Sequence, residues 1–221
     1  MQSPSRPLPT GLLIMHVEFL LEEPSAEAAL SELLPGILRG RATWTLHVHQ
    51  GKSDLLAKLP GRLRGYAPWL PADWYIVVLL DEDRQDCLIL KRKMEEAAQA
   101  AGLNTRGLRP QGGRIQVVNR VAVEELEAWF FGDVQAICAA YPRIPATLDQ
   151  RAKYRNPDAI TGGTWESLER ELQRVGYHRG GLPKIEAARV IARHMQPLRN
   201  RSHSFRVFHT ALASLLAEHP A

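Results

Sequence analysis

The hydrophobic pattern along the chain switches repeatedly between two periods. Leu12 to Leu21 form an apolar run broken only by His16 and Glu18, which suits a central strand. It stops at Glu22-Glu23-Pro24-Ser25, after which Ala26, Ala29, Leu30, Leu33 and Leu34 recur at helical spacing. Ser25 is placed to cap that helix, and Pro35-Gly36 to end or kink it. Trp44, Leu46 and Val48 then alternate with Thr43, Thr45, His47 and His49, the pattern of a half-exposed strand. A helix led by Ser53 follows, carrying Leu55, Leu56, Leu59 and Leu63.

The strongest strand runs from Trp74 to Leu80 and is apolar on both faces, as expected for a parallel strand covered on two sides. It ends abruptly at Asp81-Glu82-Asp83. A helix from Cys87 to Ala101 is closed by Gly102. Arg114 to Asn119 reads as another strand, followed by a helix containing Glu124, Glu125, Glu127 and Trp129. Strand–helix alternation of this kind predicts an α/β fold, a mostly parallel sheet with helices on both faces. Beyond Tyr141, Pro, Gly and Arg dominate until helices resume near 165–175, 184–195 and 204–217. The organisation expected is a flexible tail over 1–11, a core over 12–141, and a basic, loop-rich and helical extension over 142–221 packed on that core.

Ligands of such sheets bind at the carboxyl ends of the strands. Both acidic turns, Glu22-Glu23 and Asp81-Glu82-Asp83, fall there. Asp81 and Asp83, two apart at a strand end, suit a hard cation, but an Asp-x-Asp alone also occurs in chance acidic turns. Charge sharpens the picture. The net charge is +4, yet residues 142–221 carry 13 Lys or Arg against 7 Asp or Glu, while the rest of the chain is slightly acidic. Carboxylates for metal beside cations for phosphate are what a nuclease needs, although an Arg-rich solvated surface gives the same count.

Together, Glu23 followed by a small turn and helix, the Asp81-x-Asp83 pair after a later apolar strand, and the VNRVAVEELEAWFFGD block resemble the Toprim family. The order and texture look like a bacterial Toprim-related family of unknown function, near RloB and the OLD-type nucleases. The likeness covers residues 12–135, and more loosely the segment through GLPKIEAARVIA. It implies a Toprim-like sheet, Glu23 as general base or metal ligand, and Asp81 and Asp83 as a metal-binding pair. Glu27 and Glu127 become second-site ligands and Lys184 a cation for a phosphate oxygen. Pro24 stands where the family has glycine, which leaves Glu22 or Glu18 as alternative acids.

The resemblance further implies Mg²⁺ or Mn²⁺ as cofactor, phosphodiester hydrolysis on DNA or RNA, a role in anti-phage defence, and a separately encoded ATPase partner. The alternative is a non-catalytic, nucleic-acid-sensing subunit of that ATPase. Arg151, Lys153, Arg155, Arg199 and Arg201 are the candidate nucleic-acid contacts, able to touch phosphates or simply to face water.

Rival signals are weaker. His47 and His49 share a strand face but lack a third metal ligand nearby. Gly51-Lys52-Ser53 lacks the preceding glycine of a P-loop and reads as a helix start. Trp129, Phe130 and Phe131 suit a core better than a base-stacking surface. At 221 residues and 45% hydrophobic, the chain can build one ordinary core. No apolar run approaches the ~20 residues of a membrane helix, and the opening MQSPSRPLPTG does not read as a signal peptide. Two cysteines exclude a disulfide framework or a four-cysteine zinc site, and a reducing, cytoplasmic setting is expected.

Overall fold

The structure is a computed structural model and describes residues 15–83, 85–108, 110 and 113–218. The tail over 1–11 and the start of the first predicted strand, residues 12–14, lie outside the described residues. The elements run β1 (Met15–Leu21), α1 (Pro24–Leu38), β2 (Ala42–Val48), α2 (Lys52–Tyr66), β3 (Trp74–Asp81), α3 (Cys87–Ala100) and β4 (Val117–Ala122). Then follow α4 (Glu127–Gly132), α5 (Val134–Ala140), three single 3₁₀ turns between 148 and 159, α6 (Thr164–Arg174), α7 (Lys184–Ala192) and α8 (His203–Glu218). The four strands pair in the order β2-β1-β3-β4, and every pair is parallel.

Strand periodicity explains the layering. Successive side chains point to opposite faces, so a strand buried on both sides must be apolar throughout. Val17, Phe19 and Leu21 of β1 and Tyr75, Val77 and Leu79 of β3 enter one core with α1 and α4 to α8. Leu20, Ile76, Val78 and Leu80 enter the other, under α2 and α3. The C-terminal helices share the larger core. Trp129 of α4 lies 5.1 Å from the Phe205 ring and 5.0 Å from that of Phe208, both on α8. Each such buried side chain contributes roughly 1.5–3 kcal/mol, so α8 is anchored on the sheet. Trp129, Phe130 and Phe131 are all buried, which removes them as a base-stacking surface.

Several element boundaries differ from those the sequence suggests. Pro35 does not end α1, which continues to Leu38 and closes at Arg39 in a left-handed conformation. Pro35 and Ser31, whose carbonyl loses its helical donor, both lie on the exposed side, where water can replace the missing bond. Ser25 is not the cap. Pro24 occupies the first turn, where its missing N–H costs nothing, and Glu23 is the N-cap residue. β4 begins three residues later than the apolar run suggests, because Gln116 and Val117 donate their N–H groups to the Asn104 carbonyl at 2.8 and 3.0 Å. The last helix of the VNRVAVEELEAWFFGD block starts only at Glu127, after Glu124 turns the chain with φ +62°.

Gly132 ends α4 against a tight neighbour. An added Cβ would collide with Asn200 Oδ1 and lie 2.8 Å from the Ser202 amide nitrogen. Asn200 is buried and cannot yield freely. Its Nδ2 donates to the Trp129 carbonyl at 2.7 Å, and its Oδ1 accepts from the Ser202 N–H at 2.9 Å. Gly132→Ala is therefore expected to cost about 1–3 kcal/mol through overpacking. Urea denaturation measures it, and an unchanged midpoint would show that the Asn200 loop moves aside.

Candidate metal centre at the carboxyl ends of the strands

A parallel sheet delivers all its strand ends to one edge, and there the acids collect. β1 gives way to Glu22 and Glu23 just before α1. β3 beside it ends on Asp81, whose N–H donates to Glu22 Oε2 at 3.0 Å. Asp81 is in register with Ala122, the last residue of β4, and the turn after it brings Glu127 to the start of α4. The cation arrives from a distant part of the chain. Lys184, the first residue of α7, places its Nζ 2.7 Å from Glu23 Oε1 and 3.7 Å from Glu127 Oε1. Ser25 also donates its hydroxyl to Glu23.

Burial dominates the electrostatics. Glu127 is wholly buried, and neither of its carboxylate oxygens has a hydrogen-bond partner among the described residues. Its pKa is pushed up to about 7, chiefly by desolvation, against the opposing pull of Lys184. Asp81 is buried too, and no described residue donates to its carboxylate. Desolvation first, then the charges of Glu127, Glu22 and Glu23, hold its pKa well above the usual carboxylate range. Burial likewise raises Glu22. Desolvation alone would lower the Lys184 pKa, but Glu127, Glu23 and Asp81 outweigh it and leave the ammonium firmly protonated.

The structure thus brings together Glu23, Asp81, Glu127 and Lys184. Asp83 turns aside: at φ +52° its carboxylate meets Lys52 Nζ at 2.6 Å, and the same ammonium donates to the Glu82 carbonyl at 2.9 Å. Asp83, Lys52, Glu124 and Glu125 line a hollow of about 650 Å³ beside the cluster. Glu27 is exposed on α1, and its carboxylate makes no hydrogen bond or ion pair with a described residue. This removes the basis for reading it as a second-site ligand, since the residue faces solvent. Among the described residues, no three His, Cys, Asp or Glu side chains are arranged to hold one ion.

The candidate phosphate contacts divide. Arg199 is committed internally, with its Nε 2.6 Å from Asp133 Oδ1 and a second bond of 2.9 Å to Oδ2. Because Asp133 is buried, that guanidinium neutralises a core charge and is not free for phosphate. Arg151 pairs with Glu171 at 2.8 Å, and Arg201 lies 3.3 Å from Asp149. Lys153 sits 5.7 Å from the Tyr154 ring centroid, and Arg155 is exposed.

Sequence reasoning missed two features. Lys52, within the Gly-Lys-Ser read as a helix start, bridges the acidic turn at Asp83. Glu18 lies buried and accepts from His16 at 3.1 Å, from Tyr66 at 3.3 Å and from His47. His47 thus faces Glu18, whereas His49 bonds the Leu21 carbonyl. Nothing in their spacing announces these partners, which lie 29 to 48 residues apart in the chain for His47 and Tyr66.

A four-stranded parallel sheet with helices on both faces and an acidic cluster at its carboxyl edge defines an α/β protein. More particularly, the chain belongs to the family described as "Domain of unknown function (DUF4276)", whose model matches residues 21–213. Among solved structures, it is similar to the C-terminal region of the OLD protein of Xanthomonas campestris pv. campestris. That likeness has 15% identity and a TM-score of 0.47, and covers 93% of this chain and 98% of that one. No curated protein matches. Among the described residues, no helix is long and apolar enough to cross a membrane.

Proposed function

We propose that this protein is a metal-dependent phosphodiester hydrolase, with its centre at Asp81, Glu127 and Glu23. The observation that carries the reading is the pair of buried carboxylates that no hydrogen bond satisfies, with one lysine, Lys184, beside several acids. Buried polar groups are ordinarily hydrogen-bonded, and leaving a carboxylate without partners is costly unless something else pairs with it. Oxygen-only donors fit a hard cation, Mg²⁺ or Mn²⁺, better than zinc. Asp81 and Glu127 would hold it, with Glu22 or Glu23 as the further oxygen donor. When bound, such a cation supplies polarisation of a phosphoryl oxygen.

The chain's own groups supply the rest. Without a cation the buried Glu127 keeps its proton up to about neutrality, and a bound cation would take that proton's place. Glu23, half-buried at the mouth of the cluster, is the acid placed to accept a proton from an attacking water. Lys184, protonated and partly exposed, offers its ammonium to a non-bridging phosphate oxygen. Lys153 and Arg155, less committed than Arg199, are the cations left to contact the nucleic-acid backbone. Anti-phage defence beside a separately encoded ATPase is the setting this reading inherits from the Toprim resemblance.

A second reading is favoured by one observation: the Lys184 ammonium already neutralises Glu23 at 2.7 Å. A cluster permanently satisfied by lysine would suit a non-catalytic, nucleic-acid-sensing subunit of the ATPase. The experiment is cleavage of end-labelled single-stranded and duplex DNA and RNA. Cutting is expected with Mg²⁺ or Mn²⁺ and none with chelator. Binding without cutting in either metal would leave the second reading standing.

A further inference from the structure

β4 is an edge strand, and its outward backbone is open in part, with the Asn119 carbonyl taken by Arg120 Nη1 at 2.7 Å. The ladder to β3 uses its even residues: Ile76 N–H donates to the Gln116 carbonyl and Glu82 N–H to that of Ala122. The odd residues therefore face outward. Val117 is met there by the Asn104 carbonyl at 3.0 Å, and beyond it the N–H groups of Asn119 and Val121 find no acceptor among the described residues. α3 and α8, which cover opposite faces of the sheet, both stand beside this edge, so it lies at the bottom of a cleft. Two adjoining hollows, of about 580 and 150 Å³, follow it from Val117 to Val123.

The cleft has a definite chemistry. Leu88 and Val207, on the two walls, are 71% and 39% exposed, large apolar side chains left in water. Lys91, Arg92, Arg106 and Arg120 line the same cleft, and none of them makes an ion pair with a described residue. Its single acid, Glu95, is already used by Thr105 and by Asn119 Nδ2 at 3.0 Å. Asn119 Oδ1 and Arg120 Nε are buried without partners.

We propose that this edge takes an extended segment of a partner protein as an added strand, one that alternates acidic and apolar residues. Main-chain bonds to Asn119 and Val121 would supply the register, as in other strand additions. On the α3 side the carboxylates would meet Lys91 and Arg92, and on the α8 side the apolar side chains would cover Val207. The competing account is that the cations merely guard an exposed edge against pairing. This surface is separate from the acidic cluster, so its failure leaves the hydrolase reading untouched, and the reverse also holds.

The test uses fluorescein-labelled hexapeptides in anisotropy titrations with the full chain. An alternating Glu-Val peptide is expected to bind about tenfold or more tightly than a Lys-Val peptide. Arg106→Glu with Arg120→Glu should reverse that preference. Val121→Pro removes only an outward N–H, which an edge strand tolerates, and should abolish binding. A Glu-Val peptide N-methylated at alternate amides should also fail, because it keeps the charge but cannot join a ladder. Equal binding of the methylated and unmethylated peptides would reduce the effect to adsorption and overturn the proposal. So would no binding of either, which is the guarded-edge result. A chain that dimerises by sedimentation, and that Val121→Pro returns to monomer, would assign the edge to a second copy instead.

Discussion

With Glu127 replaced by glutamine, the protein is expected to gain about 3 kcal/mol of stability relative to the parent between pH 4.5 and pH 8, in metal-free buffer. The sign follows from the direction of the shift. The folded protein holds the Glu127 proton up to about pH 7, whereas the unfolded chain releases it near 4.5. Stability from the buried, protonated acid is therefore complete below pH 4.5 and is lost as pH rises through 7. Glutamine keeps the shape and cannot ionise, so the variant escapes the loss. Glu22, whose pKa is also raised, remains in both proteins and largely cancels, whereas Asp81, raised in part by the Glu127 charge, is relieved in the variant and shifts the difference in the same direction. Urea unfolding of both proteins at several pH values measures this. A difference that stays flat with pH would mean that Lys184 already satisfies the ionised form.

Asp81→Asn should have the largest effect on activity. Cutting in Mg²⁺ or Mn²⁺ is expected to fall by about 100-fold or more, since a bound cation is worth several kcal/mol of charge stabilisation. The fold should survive or even strengthen, because the carboxylate has no hydrogen bond to lose and the change removes a buried acid. The loss should appear in kcat, with substrate binding retained. Glu27→Gln, on the exposed face of α1, is the matched control and should cut at the parental rate. A comparable fall in both variants would point away from Asp81 as the centre.

Much of the fold was legible because β3 is apolar on both faces and β1 is apolar apart from His16 and Glu18. The Leu12–Leu21 and Trp74–Leu80 runs can only be covered strands, and the helices between them force parallel pairing. That alone puts Glu22, Glu23 and Asp81 at one edge. What was not legible depends on tertiary packing. Asp83 shares its sequence motif with Asp81, yet its left-handed backbone hands the carboxylate to Lys52. Glu27 follows Glu23 by four residues, but the packing of α1 leaves it in water. The meeting of Lys184 with Glu23 and Glu127 requires α7 to lie along α1, and no local pattern encodes that contact. The burial of Glu127 is equally silent in sequence, since a glutamate before Ala128 and Trp129 reads as an ordinary first-turn acid.

The central claim is that the buried carboxylates form a cation site, and a Mn²⁺ titration followed by electron paramagnetic resonance tests it most directly. Free Mn²⁺ gives the signal, so binding reads as its loss. The parent protein should bind Mn²⁺, with Mg²⁺ competing for the site. Asp81→Asn and Glu127→Gln should each weaken binding by about tenfold or more, since each removes a charged oxygen ligand and loss of even an outer-shell partner costs about 10–100-fold, while Glu27→Gln leaves it unchanged. A parent that binds no Mn²⁺, or variants that bind it as tightly as the parent, would contradict the account.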